Sequence, residues 1–342
     1  MKQTTYFFAC VIAIFLLSSC TKQLVGKQVA NSATENFDVL WKDYDAHYGT
    51  FITKNIDWQD AYNHFRPMVY DGMPDSSLFS VMKNLLDVLD DNHVFLKPLA
   101  STGLPWYKGG ILGRVQVQDY NKDVAQSYLL QTFSYGDAID YGILEGNIGY
   151  ISLKKFDNDF NFYPAAMDAV LHTLLNTKGI IIDMRENDGG EDRVSQYIAN
   201  RFAAERHFSF SSSLRNGPSH TDFAAPIKFY TEPAGSFQYT KPVIIINNLN
   251  VYSAGETFDL AMIQNKNVRL VGTVTGGALS DAVERELPNG WLYRVPIADV
   301  RDANGHNLEQ TGISPSVYVD NTPADLQAGK DKMLEKAIEL LN

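Results

Sequence analysis

Four short stretches hold residue types suited to nucleophilic and general-base chemistry. In Asn247-Asn248-Leu249-Asn250-Val251-Tyr252-Ser253-Ala254-Gly255-Glu256 a buried strand ends, polar turn residues follow, and a serine opens a helix. The start of a helix offers free N–H groups that favour negative charge, so Ser253 stands where a nucleophile can be served. The same residues also read as a capping box, Ser253-x-x-Glu256, which requires no chemistry. Val251 occupies the first glycine position of a G-x-S-x-G elbow, so that motif is absent. The second stretch, Asp183-Met184-Arg185-Glu186-Asn187-Asp188-Gly189-Gly190, likewise follows a buried strand. Paired glycines let backbone N–H groups approach a ligand, as an oxyanion requires, although alone they read as a turn before a helix. The third, Leu89-Asp90-Asp91-Asn92-His93, closes a helical region with an imidazole able to take a proton at neutral pH. A lone histidine is also compatible with a structural or surface role. The fourth, Leu308-Glu309-Gln310-Thr311-Gly312-Ile313-Ser314-Pro315, holds Glu309, in isolation a solvated carboxylate.

In their order and spacing these stretches resemble the tail-specific, or C-terminal-processing, serine peptidase family, over residues 36–340. I-G-Y-I-S-L followed by I-I-I-D-M-R-E-N-D-G-G resembles its glycine-rich strand-turn. K-P-V-I-I-I-N-N-x-x-x-Y-S-A-G-E resembles its nucleophile segment, and G-I-S-P-S-V-Y-V with G-K-D-K-M-L-E-K-A-I-E-L-L its end. One branch of the family uses a lysine base in a T-x-G-K-G stretch. Here the stretch is Thr275-Gly276-Gly277-Ala278-Leu279, with Ala278 where that lysine would stand. The other branch, similar to the tricorn protease core, pairs the serine with His and Glu, which His93 and Glu309 match. It has a serine directly before its histidine, and this chain has Asn92. The resemblance therefore implies Ser253 as nucleophile, His93 as base, Glu309 and Asn92 as the orienting side of the relay, and an oxyanion site from Gly189 or Gly190 with Ala254. It implies a polypeptide substrate, no metal and no organic cofactor. The implied fold is α/β: a ClpP/crotonase-like β/α core carrying a small N-terminal helical domain. Residues 94–146 are too few, and lack the glycine-rich carboxylate-binding turn, for a PDZ module. Two other readings share these residues: a non-catalytic lipoprotein that binds hydrophobic ligands or peptides on the same fold, and a structural lipoprotein.

The elements that must position these groups follow from periodicity. Phe37, Leu40, Trp41, Tyr44 and Tyr48 recur at helical spacing, as do Ala61, Phe65 and Met68 after Asp57. Asp75-Ser76-Ser77 reads as a cap before the stripe Leu78, Val81, Met82, Leu85, Leu86 and Leu89. V-Q-V-Q (115–118), S-Y-L-L-Q-T-F (127–133) and N-I-G-Y-I-S-L (147–153) are strand-like. G-I-I-I-D-M-R and P-V-I-I-I-N-N are short, apolar runs of the kind buried on both faces of a sheet. Helices are expected over 163–176, 194–202, 255–264 and 330–341, with a further strand at V-R-L-V-G. Strand–helix alternation of this kind argues for a layered α/β domain.

The N-terminus reads as a lipoprotein signal peptide over residues 1–19. Lys2 is followed by an apolar run and then Leu-Ser-Ser-Cys, with Cys20 the lipidation site. Residues 20–35 read as a tether, 36–95 as the helical domain and 96–342 as the peptidase core. This places the chain in the cell envelope, lipid-anchored at a bacterial membrane. Cys10 and Cys20 are the two cysteines, so the body of the chain after Cys20 has neither disulfide nor thiol nucleophile. The net charge of −11 argues against a general nucleic-acid binder. No pair among His47, His64, His93, His172, His207, His220 and His306 has the H-E-x-x-H spacing of a zinc site.

Overall fold

The apolar runs at 180–183 and 243–247 lie side by side as parallel strands at the centre of a seven-stranded sheet, in a computed structural model that describes residues 30–156 and 159–342. The signal-peptide segment, Cys20 and most of the tether lie outside the described residues. The chain begins with α1 (Ala33–His47), α2 (Trp58–Phe65) and α3 (Asp75–Asp87), then β1 (Phe95–Lys97), β2 (Tyr107–Lys108), α4 (Lys122–Ser127), β3 (Leu129–Tyr135), β4 (Ile139–Leu144) and β5 (Ile148–Leu153). There follow α5 (Phe162–Thr173), β6 (Ile180–Asp183), α6 (Asp192–Asn200), β7 (His207–Leu214), β8 (Ile227–Thr231), β9 (Val243–Asn247), α7 (Ala254–Met262) and β10 (Val268–Gly272). The last elements are β11 (Ala282–Glu286), β12 (Leu292–Pro296), β13 (Ala298–Asp302), β14 (Val317–Tyr318), α8 (Pro323–Gln327) and α9 (Lys332–Leu341).

The large sheet has the order β14-β10-β9-β6-β5-β4-β3. Its β14–β5 portion is parallel, and β4 and β3 are added antiparallel. Alternate residues of the central strands supply opposite faces, which is why both runs are apolar up to their last residues, Asp183 and Asn247. Ile180, Ile182, Val243 and Ile245 pack under α5, α6 and α7, whereas Ile181, Ile244 and Ile246 meet Met333, Leu334 and Ala337 of α9. Three helices on one face, with α9 and the short α4 on the other, make the mixed α/β core expected from the sequence.

The N-terminal helices build a second core that is closed by strands from much later in the chain. Leu287, Trp291, Tyr293 and Val295 pack among Phe37, Leu40, Tyr44, Trp58 and the leucines of α3. These late strands join β1 and β2 in a four-stranded sheet, β11-β12-β1-β2, beside the separate β13-β7-β8 sheet.

Two local expectations are corrected. Asp75, Ser76 and Ser77 form the first turn of α3, and Pro74 takes the cap position without a side-chain bond. V-Q-V-Q forms no strand: residues 115–118 run without turn or bend between a turn at 110–114 and α4. Residues 94–146 otherwise give β1, β2, α4, the edge strand β3 and its neighbour β4, and no PDZ module is formed among the described residues.

The buried Arg185 fixes the turn after β6. Its guanidinium reaches Asp183 at 2.6 Å and Asp331, the cap of α9, at 2.8 Å, with all three side chains shielded from solvent. It ties the carboxyl end of β6 to the helix on the opposite face, and removing one member would strand the other charges in the interior.

Candidate active site

Parallel β6 and β9 end side by side, with Asp183 opposite Ile246. The two loops that follow them converge at the carboxyl edge of the sheet, where open α/β sheets form their crevices. The loop after β9 delivers Ser253 at φ 58° and ψ −130°, immediately before α7. A non-glycine residue held there costs on the order of 1–3 kcal/mol and must be over-determined by its surroundings. The Ser253 N–H donates to the Ala278 carbonyl at 2.8 Å, and its own carbonyl accepts from Glu256 at 2.8 Å and Thr257 at 3.2 Å. The hydroxyl makes no capping bond, so the capping-box reading fails. Glu256 is wholly buried, accepting from the Thr275 hydroxyl and from the N–H groups of Gly277 at 3.0 Å and Ala278 at 2.8 Å. Burial raises its pKa to about 7 despite these donors.

The loop after β6 brings two glycines against the serine. Gly189 has φ 99°, and a Cβ there would lie 2.7 Å from Ser253 Cβ and 3.0 Å from Ala254 N. Only glycine fits that approach. At Gly190, with φ 132°, a Cβ would meet the Phe156 carbonyl oxygen. Asn187 organises the turn by donating to the Leu153 carbonyl at 3.0 Å and accepting the Gly189 N–H at 2.9 Å. The Gly189 N–H is therefore committed, whereas the N–H groups of Gly190 and Ala254 have no partner among the described residues.

His93 comes from the other core. Its N–H donates to Asp91 Oδ1 at 2.8 Å, and its ring meets Tyr252 edge-on with centroids 5.7 Å apart. Asp91 Oδ2 accepts from the Tyr48 hydroxyl and from Lys54 Nζ, each at 2.7 Å. The Lys54–Asp91 pair is sealed from solvent, and Lys54 also reaches the carbonyls of Leu89 and Asp90. Burial disfavours the Asp91 carboxylate, but Lys54 and His93 outweigh it and its pKa is lowered. Burial pushes His93 down to about 4, with Asp91 opposing and Arg294 and Lys54 assisting. At neutral pH the imidazole is thus uncharged and able to accept a proton.

Ser253, His93, Gly189 and Gly190 line one cavity of about 530 Å³, walled further by Tyr252 and Arg294. Glu309 and Asn92 stand behind it. Glu309 Oε1 accepts from the N–H groups of Leu279 at 2.9 Å and Ser280 at 2.6 Å, while Oε2 and His93 Nδ1 are both buried without a hydrogen-bond partner. Burial and the neighbouring Asp91 carboxylate raise Glu309 to about 8. Asn92 donates to the Gly276 carbonyl at 2.6 Å and accepts from Leu112 N–H at 2.9 Å. Neither side chain hydrogen-bonds His93. Sequence reasoning missed Lys54, which carries no local signal, read Tyr48 only as part of an apolar stripe, and read Glu256 as a cap. Asp91 was visible only as a neighbour of His93. Among the described residues no group of three or more His, Cys, Asp or Glu could hold a metal ion.

A strained serine at a strand–helix junction, sharing a cavity with an uncharged histidine and with free N–H groups, has the layout of a serine hydrolase. Comparison with known families agrees. The model for peptidase family S41 matches residues 147–319 and that for the tricorn protease C1 domain residues 30–87. The chain belongs to peptidase family S41, which places it among the serine hydrolases. It is similar to the carboxy-terminal processing protease CtpA of Bacillus subtilis, 25% identical over 51% of this chain and 35% of that protein. It is also similar to the tricorn protease of Thermoplasma acidophilum, 28% identical over 48% of this chain and 14% of that one. The chain thus spans well under half the length of these curated relatives. A crystal structure of a candidate peptidase from Parabacteroides merdae superposes with a TM-score of 0.81 at 29% identity, covering 91% of this chain and 97% of that one.

The Lys54→Met variant removes the countercharge of a buried carboxylate. We expect denaturant titration to show a loss of about 3–5 kcal/mol. A change below about 1 kcal/mol would show that Asp91 does not depend on Lys54.

Proposed function

We propose that the protein is a serine peptidase in which Ser253 is the nucleophile and His93 the general base. The observation that carries this reading is the shared cavity, in which a conformationally strained serine and an uncharged imidazole from two different cores stand together. Ser253 Oγ attacks a peptide carbonyl while His93 takes its proton and then returns it to the leaving amine. With Nδ1 turned into the protein, Nε2 is the nitrogen assigned to this transfer. The N–H groups of Gly190 and Ala254 hold the developing oxyanion, and each such donor is typically worth about a hundredfold or more in rate. Glu309 and Asn92 act at one remove, by holding the loop against which Ser253 is set. The Ser/His/Glu branch of the family, in place of Ser/Lys, is favoured by Ala278, whose carbonyl accepts the Ser253 N–H.

The substrate is assigned as exported or extracellular polypeptide. This rests on Leu-Ser-Ser-Cys20 after the apolar run, which we take to direct export and lipid anchoring at the cell envelope. Metabolic labelling with a radioactive fatty acid should mark the wild type and leave Cys20→Ala unlabelled; equal labelling of both would refute the anchor.

Incubation with an unfolded protein, read by mass spectrometry, should give products with the wild type. Ser253→Ala and His93→Ala should give none while melting at temperatures close to the wild type. The depressed pKa of His93 sets the pH dependence. The active, deprotonated ring persists above its folded pKa, so kcat/KM should hold through pH 6.5 and fall only as pH approaches about 4. An acid limb centred near the ordinary histidine value of about 6.5 would contradict a buried base, and cleavage by His93→Ala at the wild-type rate would remove His93 from the mechanism.

A further inference from the structure

The stretch Val115–Gln118 is extended yet belongs to no sheet. The backbone N–H and C=O groups of Gln116, Val117 and Gln118 have no hydrogen-bond partner among the described residues. Extended backbone left unpaired in this way is a template for another strand.

Its position gives it a use. The stretch borders a cavity of about 580 Å³ whose wall includes Asp188 and Tyr252, the same two residues that wall the Ser253 cavity. On the far side Val115, Gln116 and Val117 also border a third hollow of about 490 Å³, which reaches the exposed Tyr318 on the edge strand β14. The three hollows are joined in series by shared walls, with Ser253 in the first and the unpaired segment along the other two. Asn92 stands in the same wall and accepts the Leu112 N–H, so the residue before His93 also holds the start of this segment.

We propose that residues 115–118 dock an extended polypeptide by main-chain pairing, laying it along the trough that leads to Ser253. This rests on the peptidase reading for its purpose, though not for its test. The occupant is a polypeptide chain because three successive residues leave both main-chain groups unpaired beside hollows that share lining residues in series with the Ser253 cavity, a pattern that a compact ligand would not use. The alternating Val and Gln side chains add little specificity, so affinity comes from backbone pairing and extends to many sequences.

Ser253→Ala protein would be titrated with a fluorescently labelled, reduced and carboxymethylated polypeptide, with anisotropy as the readout. Gln116→Pro and Val117→Pro would be added singly to that background. Each proline removes one N–H and favours an extended residue before it, the conformation already present. Successive N–H groups of an extended chain point to opposite edges, so one proline should weaken binding about five- to tenfold and the other should change it less than twofold. Val117→Ala, which keeps the backbone donor, should bind like the parent. Equal affinity in both proline variants, equal losses in both with unchanged melting temperatures, or no binding by the Ser253→Ala parent would overturn the proposal. Position-dependent binding accompanied by no cleavage in the wild type would uphold the docking segment and refute the peptidase reading. Cleavage by the wild type, with both proline variants binding like the parent, would refute the docking segment alone.

Discussion

The loop at residues 275–280 is held by its own backbone, and the arrangement of the site depends on that hold. Two buried carboxyl groups grip four successive N–H groups: Glu256 takes Gly277 and Ala278, and Glu309 takes Leu279 and Ser280. Asn92 closes the clamp from the other core by donating to the Gly276 carbonyl. The loop so fixed presents the Ala278 carbonyl to the Ser253 N–H and helps to hold the serine in a backbone conformation it would not adopt freely. Orphaned backbone donors in the interior would be costly, and carboxyl groups satisfy them two at a time. Where the resemblance would place the lysine branch's base, this chain has a backbone contact with Ser253.

The histidine is held as firmly from its own side. The helical cluster is not an appendage, because β11, β12 and the turn between them complete its core. The Tyr44 hydroxyl donates to the Arg294 carbonyl at 2.6 Å, and that of Tyr293 to Asp43 at 2.8 Å. Gly49 lies so close to the backbone of Ala298 that a side chain there would collide. Strand β12 thus serves both the helical core and, through Arg294, the wall of the cavity. Lys54 and Asp91 add a buried ion pair beside the His93 backbone, whose N–H donates to Asp91, and this fixes where the imidazole enters the site.

Much of the frame was legible in the sequence because it follows from hydrophobic pattern. The apolar strands at 180–183 and 243–247, the glycine pair and the serine at a helix start all rest on local chemistry that a single chain displays. What sequence could not supply was the partner of each polar group. Ser253-x-x-Glu256 has the spacing of a capping box, yet positive φ at Ser253 takes the serine out of cap geometry and frees Glu256 to face the loop 19–22 residues ahead. Glu309 looks solvated in isolation and is buried with its carboxyl group turned onto the N–H groups of Leu279 and Ser280. Gly189 and Gly190 are equivalent as letters; only the Asn187 side chain decides which N–H remains available. V-Q-V-Q has the alternation of a strand, but alternation does not provide a neighbour to pair with.

Active-site titration tests the central claim most directly. A fluorophosphonate transfers its phosphonyl group only to a serine that a neighbouring base has activated. The account predicts a single adduct that peptide mapping places on Ser253, formed by the wild type and lost in His93→Ala with the fold intact. A folded wild-type protein that takes up no label, or one labelled equally well without His93, would contradict it.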